Sequence, residues 1–151
     1  MLERFKTILV TTDFSDLGDH AIAHAFRMAA DHGSAVVLCH VIETVVTPAP
    51  LYAQYYPADL ITPEIRERAE EDATKALLER VPTDPTLKTV PHSVRLAHGA
   101  PGREIVTAAE VVGADLIVIS THGRTGIKHW VLGSTAEQVI RHAHCAVLVV
   151  R

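Results

Sequence analysis

A glycine-rich segment near the C-terminal end of the chain carries the residue types that bind phosphate. Residues 120–137 read S-T-H-G-R-T-G-I-K-H-W-V-L-G-S-T-A-E. Glycines let a backbone approach a ligand closely, and Gly133 stands directly before a predicted helix whose first amides could bind an anion. The segment also supplies charged and hydroxyl donors for phosphate oxygens, namely Arg124, Lys128, Thr121, Ser134 and Thr135. We therefore predict a phosphate cradle here.

A second polar position follows the first predicted strand. Asp13 comes directly after an apolar run, where the acidic residues of dinucleotide-binding folds accept hydrogen bonds from ribose hydroxyls. Together with the glycine-rich segment, Asp13 indicates a nucleotide site.

The glycine-rich segment also has a purely structural interpretation. Ser134-x-x-Glu137 matches a capping box, in which the two side chains satisfy helix amides, and loop glycines are commonly turn residues. Neither G-x-x-x-x-G-K-[ST] nor G-x-G-x-x-G occurs in the chain, so rapid ATP hydrolysis is not predicted.

Composition favours one cytoplasmic domain that binds neither nucleic acid nor membrane. The chain has 151 residues, with 14 Lys and Arg against 18 Asp and Glu, and no basic stripe. No apolar run reaches the roughly 20 residues of a membrane helix. Cys39 and Cys145 lie in apolar runs without a C-x-x-C partner, which favours buried, reduced thiols.

Apolar periodicity alternates between strands and helices along the chain. Five strands are predicted at 5–12, Ala35–Ile42, 88–97, 115–121 and Ala146–Val150. Four helices are predicted between them: one capped by Ser15 and ended by Gly33, one opened by Thr62-Pro63, one running from Pro101 to Gly113, and Ser134–His142. In the second helix we expect a buried stripe of Ile65, Ala69, Ala73, Ala76 and Leu77.

This alternation predicts a three-layer α/β/α sandwich with a doubly wound, five-stranded parallel sheet. Ligands of such folds bind at the carboxyl ends of the strands, where the winding direction reverses. For a flavodoxin-like order, that crevice would gather residues 11–13 and 120–124.

Three blocks of the chain resemble the universal stress protein family: ILVTTDFSD, GADLIVISTHGRTG and LGSTAEQVIRHAHCAVLVVR. The nucleotide-binding branch of that family has the pattern G-x-x-G, nine residues, then G-[ST]. Gly123, then nine residues, then Gly133-Ser134 matches its second half, whereas Ser120 replaces its first glycine. Thr11 also replaces a proline common in the family.

The resemblance implies an adenine nucleotide alpha hydrolase-like fold, strand order 3-2-1-4-5, and a bound adenine nucleotide such as ATP, with Mg²⁺ carried on the phosphates. Asp13 would meet the ribose and Val41 would pack near the adenine. The phosphates would be surrounded by Gly123, Arg124, Gly133, Ser134 and Thr135. The pocket would be completed by Thr11, Thr12, Ile119, Ser120 and His122. The resemblance also implies a homodimer through the last strand, Ala146–Val150, whose apolar edge would otherwise be unpaired.

Two other features of the sequence are a pair of histidines, which does not indicate a metal site, and a long connection, to which no single role is assigned. His20 and His24 lie one helical turn apart, but no third ligand is visible. The long connection at 44–60, which contains Tyr52, Tyr55 and Tyr56, either covers the pocket, contacts a partner or packs as an ordinary surface loop.

Three functional hypotheses remain open at this point. The first is a stress-response binding or regulatory module that holds ATP without dedicated catalysis. The second is a slow ATP hydrolase, for which only Asp13 and His122 are candidate bases. The third is a dimeric scaffold that binds no nucleotide.

Overall fold

The architecture follows from a computed structural model, which describes residues 4–43, 62–121 and 132–151. In chain order the elements are β1 (Thr7–Thr11), α1 (Asp16–His32), β2 (Ala35–Ile42), α2 (Pro63–Leu78), α3 (Pro85–Lys88), β3 (His92–His98), α4 (Pro101–Val112), β4 (Leu116–Ser120), α5 (Ser134–His142) and β5 (Ala146–Val150).

The five strands form one parallel sheet in the order β3-β2-β1-β4-β5, which confirms the predicted order. β1 lies at the centre, paired with β2 on one side and β4 on the other. Asp115 joins the beginnings of β1 and β4, because its carboxylate accepts hydrogen bonds from the amides of Lys6 (2.8 Å) and Thr7 (3.2 Å). Because β1 and β4 run parallel, their carboxyl ends also lie side by side, at the opposite edge of the sheet.

Two apolar clusters cover the two faces of the sheet and confirm the three-layer sandwich. On one face, Phe26 of α1 and Leu77 of α2 pack over inward side chains of the strands such as Ile8. On the other face, Ile105 of α4 and Val139 of α5 pack over the alternate side chains. Strands β1, β2 and β4 are almost wholly apolar because helices bury both faces of the sheet.

The ends of α1 follow the sequence signals. Ser15 Oγ accepts a hydrogen bond from the Gly18 amide (3.2 Å), and Gly33 ends the helix in the left-handed conformation, at φ 71°. An L-residue rarely adopts such a φ, so glycine at this position stops the helix.

The prediction for the region after α2 was wrong in two respects. The four residues Pro85–Lys88 form α3, which was not predicted, and β3 begins at His92 rather than at residue 88. Asp84 caps α3 by accepting from the Thr86 amide (2.8 Å), and Pro85 occupies the first helical position. Pro91 stands just before β3, an edge strand, as its missing amide requires.

The predicted stripe of α2 is only half buried. Ala73 and Leu77 are buried and Ala76 is half-buried, whereas Ala69 is exposed and Ile65 is 53% exposed. A helix of 16 residues is about 24 Å long. Within the described ranges, its two buried side chains, Ala73 and Leu77, both lie in the C-terminal half.

No helix in the described part of the chain is long and apolar enough to cross a membrane.

Candidate functional site

The polar residues predicted from sequence converge at the carboxyl ends of β1 and β4. Thr11 ends β1 and Ser120 ends β4, and these two strands are hydrogen-bonded neighbours. Helices α1 and α2 follow β1 and β2 on one face, whereas α4 and α5 lie on the other, so the winding reverses between β1 and β4. This is where open α/β sheets bind their ligands.

The loop after β1 is shaped by its own side chains. Thr12 is 4% exposed, and its hydroxyl oxygen accepts a hydrogen bond from the Phe14 amide (3.0 Å). One oxygen of Asp13 accepts from the Ser15 amide (3.0 Å) and from the Ser15 hydroxyl. Asp13 is half-buried at this edge, so its carboxylate both orders the loop and is accessible to a ligand.

Gly18 allows α1 to approach this loop closely. A Cβ built at Gly18 would overlap the Thr12 hydroxyl oxygen and would stand 3.2 Å from Thr12 Cβ. Sequence analysis did not single out this glycine, although a glycine in the first turn of a helix is a signal of close approach.

Replacing Gly18 by Ala is expected to lower the free energy of unfolding by about 1–3 kcal/mol, the usual effect of overpacking. The added methyl group must displace Thr12, whose hydroxyl would lose its bond to Phe14. Urea denaturation followed by circular dichroism measures the change.

The control is the same substitution in a Thr12→Ala background, where the overlapping oxygen is absent. There Gly18→Ala should be neutral or stabilising, because alanine favours helix over glycine by about 1 kcal/mol. Equal losses in both backgrounds would show that the Thr12 contact is not the cause.

The start of α5 returns to the end of β4. The Gly133 amide donates to the Thr121 carbonyl (2.8 Å), and the Thr121 amide donates to the Val150 carbonyl (2.9 Å) at the end of β5. These two bonds hold the N-terminus of α5 beside the carboxyl ends of β4 and β5.

The predicted capping box at this N-terminus was wrong. Gly133 is the N-cap residue and Ser134 the first helical residue, so among the described residues no side chain caps the helix. Glu137 instead pairs with Arg141 one turn later (2.7 Å). The amides of residues 134–136 precede the first helical bond, from Glu137 to the Gly133 carbonyl (2.9 Å). An uncapped N-terminus with its dipole suits an anion.

Gly133 has φ −61°, which any residue adopts. Close approach of the backbone to a ligand, and not a special backbone conformation, therefore remains the predicted reason for glycine at this position.

The other predicted pocket residues divide into two groups. Val41 and Ile119 are buried and belong to the apolar cluster beneath α4 and α5. Ser134 is exposed at the first turn of α5, and Thr135 is half-buried. His122, Gly123 and Arg124 lie outside the described residues, as do Lys128, Trp130 and the 44–60 connection with its tyrosines.

Sequence analysis missed Phe14, His40 and Arg80, which surround the loop after β1. The Arg80 guanidinium carbon lies 4.7 Å from the centre of the Phe14 ring, and the His40 ring lies 4.3 Å from it. The one signal available in the sequence was Phe14 itself, an apolar residue between Asp13 and Ser15.

The histidine pair His20 and His24 is exposed on α1. Among the described residues, no group of three or more His, Cys, Asp or Glu could hold a metal ion.

Both cysteines are free thiols in the structure. Burial raises the pKa of the Cys39 thiol to about 12, against a smaller lowering by Arg95. Burial also raises the pKa of half-buried Cys145, and Asp115 adds to this effect.

Because only the thiolate reacts, iodoacetamide at pH 8 is expected to label Cys145 slowly and Cys39 not at all until the protein unfolds. Peptide mass spectrometry with and without urea measures both. Labelling of Cys39 in the native protein at the rate of Cys145 would contradict the burial described for β2.

The sheet order, the helices on both faces and the polar edge define an α/β protein of the adenine nucleotide alpha hydrolase-like class. The chain matches the Universal stress protein family over residues 4–151. It therefore belongs to the universal stress protein family.

Known proteins agree with this assignment. A universal stress protein of Methanocaldococcus jannaschii is 35% identical over 147 residues, covering 97% of this chain and 82% of the relative. The structure of universal stress protein UspA from Lactobacillus plantarum superposes with a TM-score of 0.79 at 25% identity, covering 99% of each chain. A universal stress protein solved in complex with cAMP has a TM-score of 0.60 at 27% identity, covering 99% of this chain and 98% of that one.

Proposed function

We propose that this protein binds an adenine nucleotide, ATP in particular, at the carboxyl ends of β1 and β4, and acts as a binding or regulatory module in the stress response. The observation that carries the proposal is the uncapped N-terminus of α5, held against β4 by the bond from Gly133 to Thr121. In the described part of the chain, the amides of residues 134–136 precede the first helical bond and lie at the same edge of the sheet as the loop that contains Asp13. The related structure in complex with cAMP supports the adenine nucleotide class of ligand.

In this proposal each part of the nucleotide meets a different group. Asp13 accepts hydrogen bonds from the ribose hydroxyls, and Val41 packs near the adenine. The phosphates lie at Gly133, Ser134 and Thr135, where the helix dipole favours negative charge. Thr11, Thr12, Ile119 and Ser120 line the space between, and His122, Gly123 and Arg124 complete the phosphate side. Mg²⁺ would bind through the phosphate oxygens.

The first experiment identifies the ligand without assuming it. Freshly purified protein is denatured, the released small molecules are identified by mass spectrometry, and the emptied protein is titrated with ATP and Mg²⁺ in a calorimeter. We expect recovered adenine nucleotide or a micromolar Kd, which corresponds to about −8 kcal/mol. An empty protein that does not bind millimolar ATP would contradict the proposal and favour a nucleotide-free scaffold. Phosphate release from bound ATP, measured in the same samples, tests slow hydrolysis.

Replacing Ser134 by Pro tests the phosphate site directly. Proline is tolerated at the first helical position but removes its amide, so ATP affinity should fall about tenfold while adenosine affinity and the free energy of unfolding change little. Parallel titrations with both ligands make the comparison.

Ser134→Ala is the matched control, because it removes only the hydroxyl and keeps the amide. Equal weakening of ATP and adenosine by the proline variant would place the phosphates elsewhere.

We also propose that the protein is a homodimer paired through β5 and that it works in the reducing cytoplasm, where its free thiols remain reduced. In the described part of the chain, β5 has a neighbouring strand on one side only, and Val147, Leu148 and Val149 are half-buried. Pairing with a second copy would cover this apolar edge. Light scattering after gel filtration should give twice the chain mass, and a monomer mass at every concentration would exclude the dimer.

A further inference from the structure

The backbone of the loop after β1 is held in an unfavourable conformation. Phe14 has φ 66°, and within the described ranges no other residue except glycine has a positive φ. An L-residue with a large side chain adopts this conformation only where its surroundings impose it. Phe14 directly follows Asp13, so its φ decides how the Asp13 carboxylate is presented.

Aromatic and cationic groups hold the Phe14 ring in place. The Arg80 guanidinium carbon lies 4.7 Å from the ring centre, which is a cation–π distance, and the His40 ring centre lies at 4.3 Å. A ring nitrogen of His40 in turn lies 2.8 Å from the Thr12 carbonyl oxygen. The ring is therefore fixed from β2 and from the residues after α2.

Arg80 connects three parts of the protein at this point. Its Nε donates to Asp19 of α1 (2.8 Å), and its terminal nitrogens donate to the carbonyls of Ala76 in α2 (2.9 Å) and of Phe14 (3.4 Å). The Arg80 side chain is 25% exposed, so these contacts are partly shielded from water. Four contacts from one planar guanidinium require its fork geometry as well as its charge.

We propose that Arg80 is a positioning residue that clamps Phe14, holds Asp13 in its ligand-binding orientation and thereby couples nucleotide binding to the C-terminal end of α2. This inference rests on the proposed function, in which Asp13 meets the ribose. Coupling is reciprocal: if the clamp raises nucleotide affinity by some factor, bound nucleotide stabilises the clamped arrangement by the same factor. The end of α2 then senses whether the site is occupied.

A double-mutant cycle tests the clamp. ATP and adenosine are titrated into wild type, Arg80→Gln, Asp13→Ala and the double variant. Arg80→Gln should weaken both ligands by the same factor, about tenfold, because the clamp acts on the ribose contact. In the Asp13→Ala background, Arg80→Gln should cause no further loss. Arg68→Gln, which removes an exposed arginine of α2, should bind like wild type.

Phe14 provides a variant that separates positioning from folding. Glycine adopts a positive φ without strain but has no ring to clamp. At a temperature where it remains folded, Phe14→Gly should therefore lose about tenfold in ATP affinity, with a lower thermal midpoint because the ring also packs against the core, and Phe14→Tyr, which keeps the ring, should bind ATP like wild type. A ring that only packs against the core would lower the thermal midpoint and leave the ATP affinity of the folded variant unchanged.

Hydrogen exchange measures the coupling between nucleotide binding and the C-terminal end of α2. ATP should slow exchange of the amides of residues 75–80 in wild type and not in Arg80→Gln. Wild-type ATP affinity in Arg80→Gln, or losses that multiply in the double variant, would overturn the clamp while leaving the nucleotide site intact. Failure of wild type to bind ATP and adenosine would overturn both.

Discussion

Replacing Asp13 by Asn is expected to weaken ATP and adenosine by one common factor, about tenfold or more. A hydrogen bond to a charged acceptor contributes roughly 1.5–3 kcal/mol, and both ligands carry the same ribose hydroxyls. Asparagine keeps an oxygen that can accept from the Ser15 amide, so the loop retains its shape. Calorimetric titration of both ligands measures the effect.

Asp13→Ala separates the two roles of this carboxylate, which are ribose binding and ordering of the loop after β1. It removes the acceptor for Ser15 as well, so we expect the same loss of ligand and an additional loss of about 1 kcal/mol in the free energy of unfolding. If Asp13→Asn weakened ATP but not adenosine, the carboxylate would act on the phosphate side. If it weakened neither, Asp13 would be only a loop residue.

Replacing Phe26 by Ala is expected to lower the free energy of unfolding by about 3–5 kcal/mol, the largest effect on stability that we predict. Phe26 is fully buried in α1, where it packs among the side chains of the central strands. Its ring centre also lies 5.6 Å from that of His92 at the start of β3, so the cavity would reach the edge of the sheet. Guanidinium denaturation measures the loss.

Val111→Ala is the matched control, because this helical side chain is 63% exposed. It should change the free energy of unfolding by no more than about 0.5 kcal/mol. Similar losses in both variants would mean that α1 and α4 do not bury the faces described for them.

The alternation of strands and helices could be predicted from the apolar pattern because burial on both faces leaves a strong local signal, whereas the strand order was implied by the family resemblance. Ala35–Ile42 is an almost uninterrupted apolar run, and a strand of this kind needs helices on both sides. Once the alternation is known, the handedness of crossover connections leaves few windings. The bounds of β2 and β5 follow directly from their apolar runs.

Features that depend on residues distant in sequence but close in space were harder to predict. Ile65 has the right spacing for the buried face of α2, but periodicity does not tell how much of a helix lies over the sheet. Likewise, Ser134 and Glu137 fit a capping box, although the bond from Gly133 to Thr121 sets where α5 begins. The local spacing predicted a side-chain cap, but α5 begins where the tertiary contact fixes it.

The residues of the candidate site likewise fall into two groups, those that could be predicted from sequence and those that could not. Asp13, Thr12 and Ser120 were predictable, because polar residues at the ends of apolar strands collect at one edge. Arg80 was not, since it lies 61 residues from its partner Asp19 and nothing in its local sequence marks it. Its contribution is visible only where α1, α2 and the loop after β1 meet.

The central pairing of β1 with β4 has a kinetic consequence. The Lys6 amide and the Asp115 carboxylate that join these strands are 109 residues apart in sequence. During synthesis, β1 can pair with β2 early, but its other edge must wait until β4 has left the ribosome. Parallel pairings over such distances form slowly and leave apolar edges open to wrong partners. The polar edge at Thr12 and Ser120 is therefore assembled late in folding.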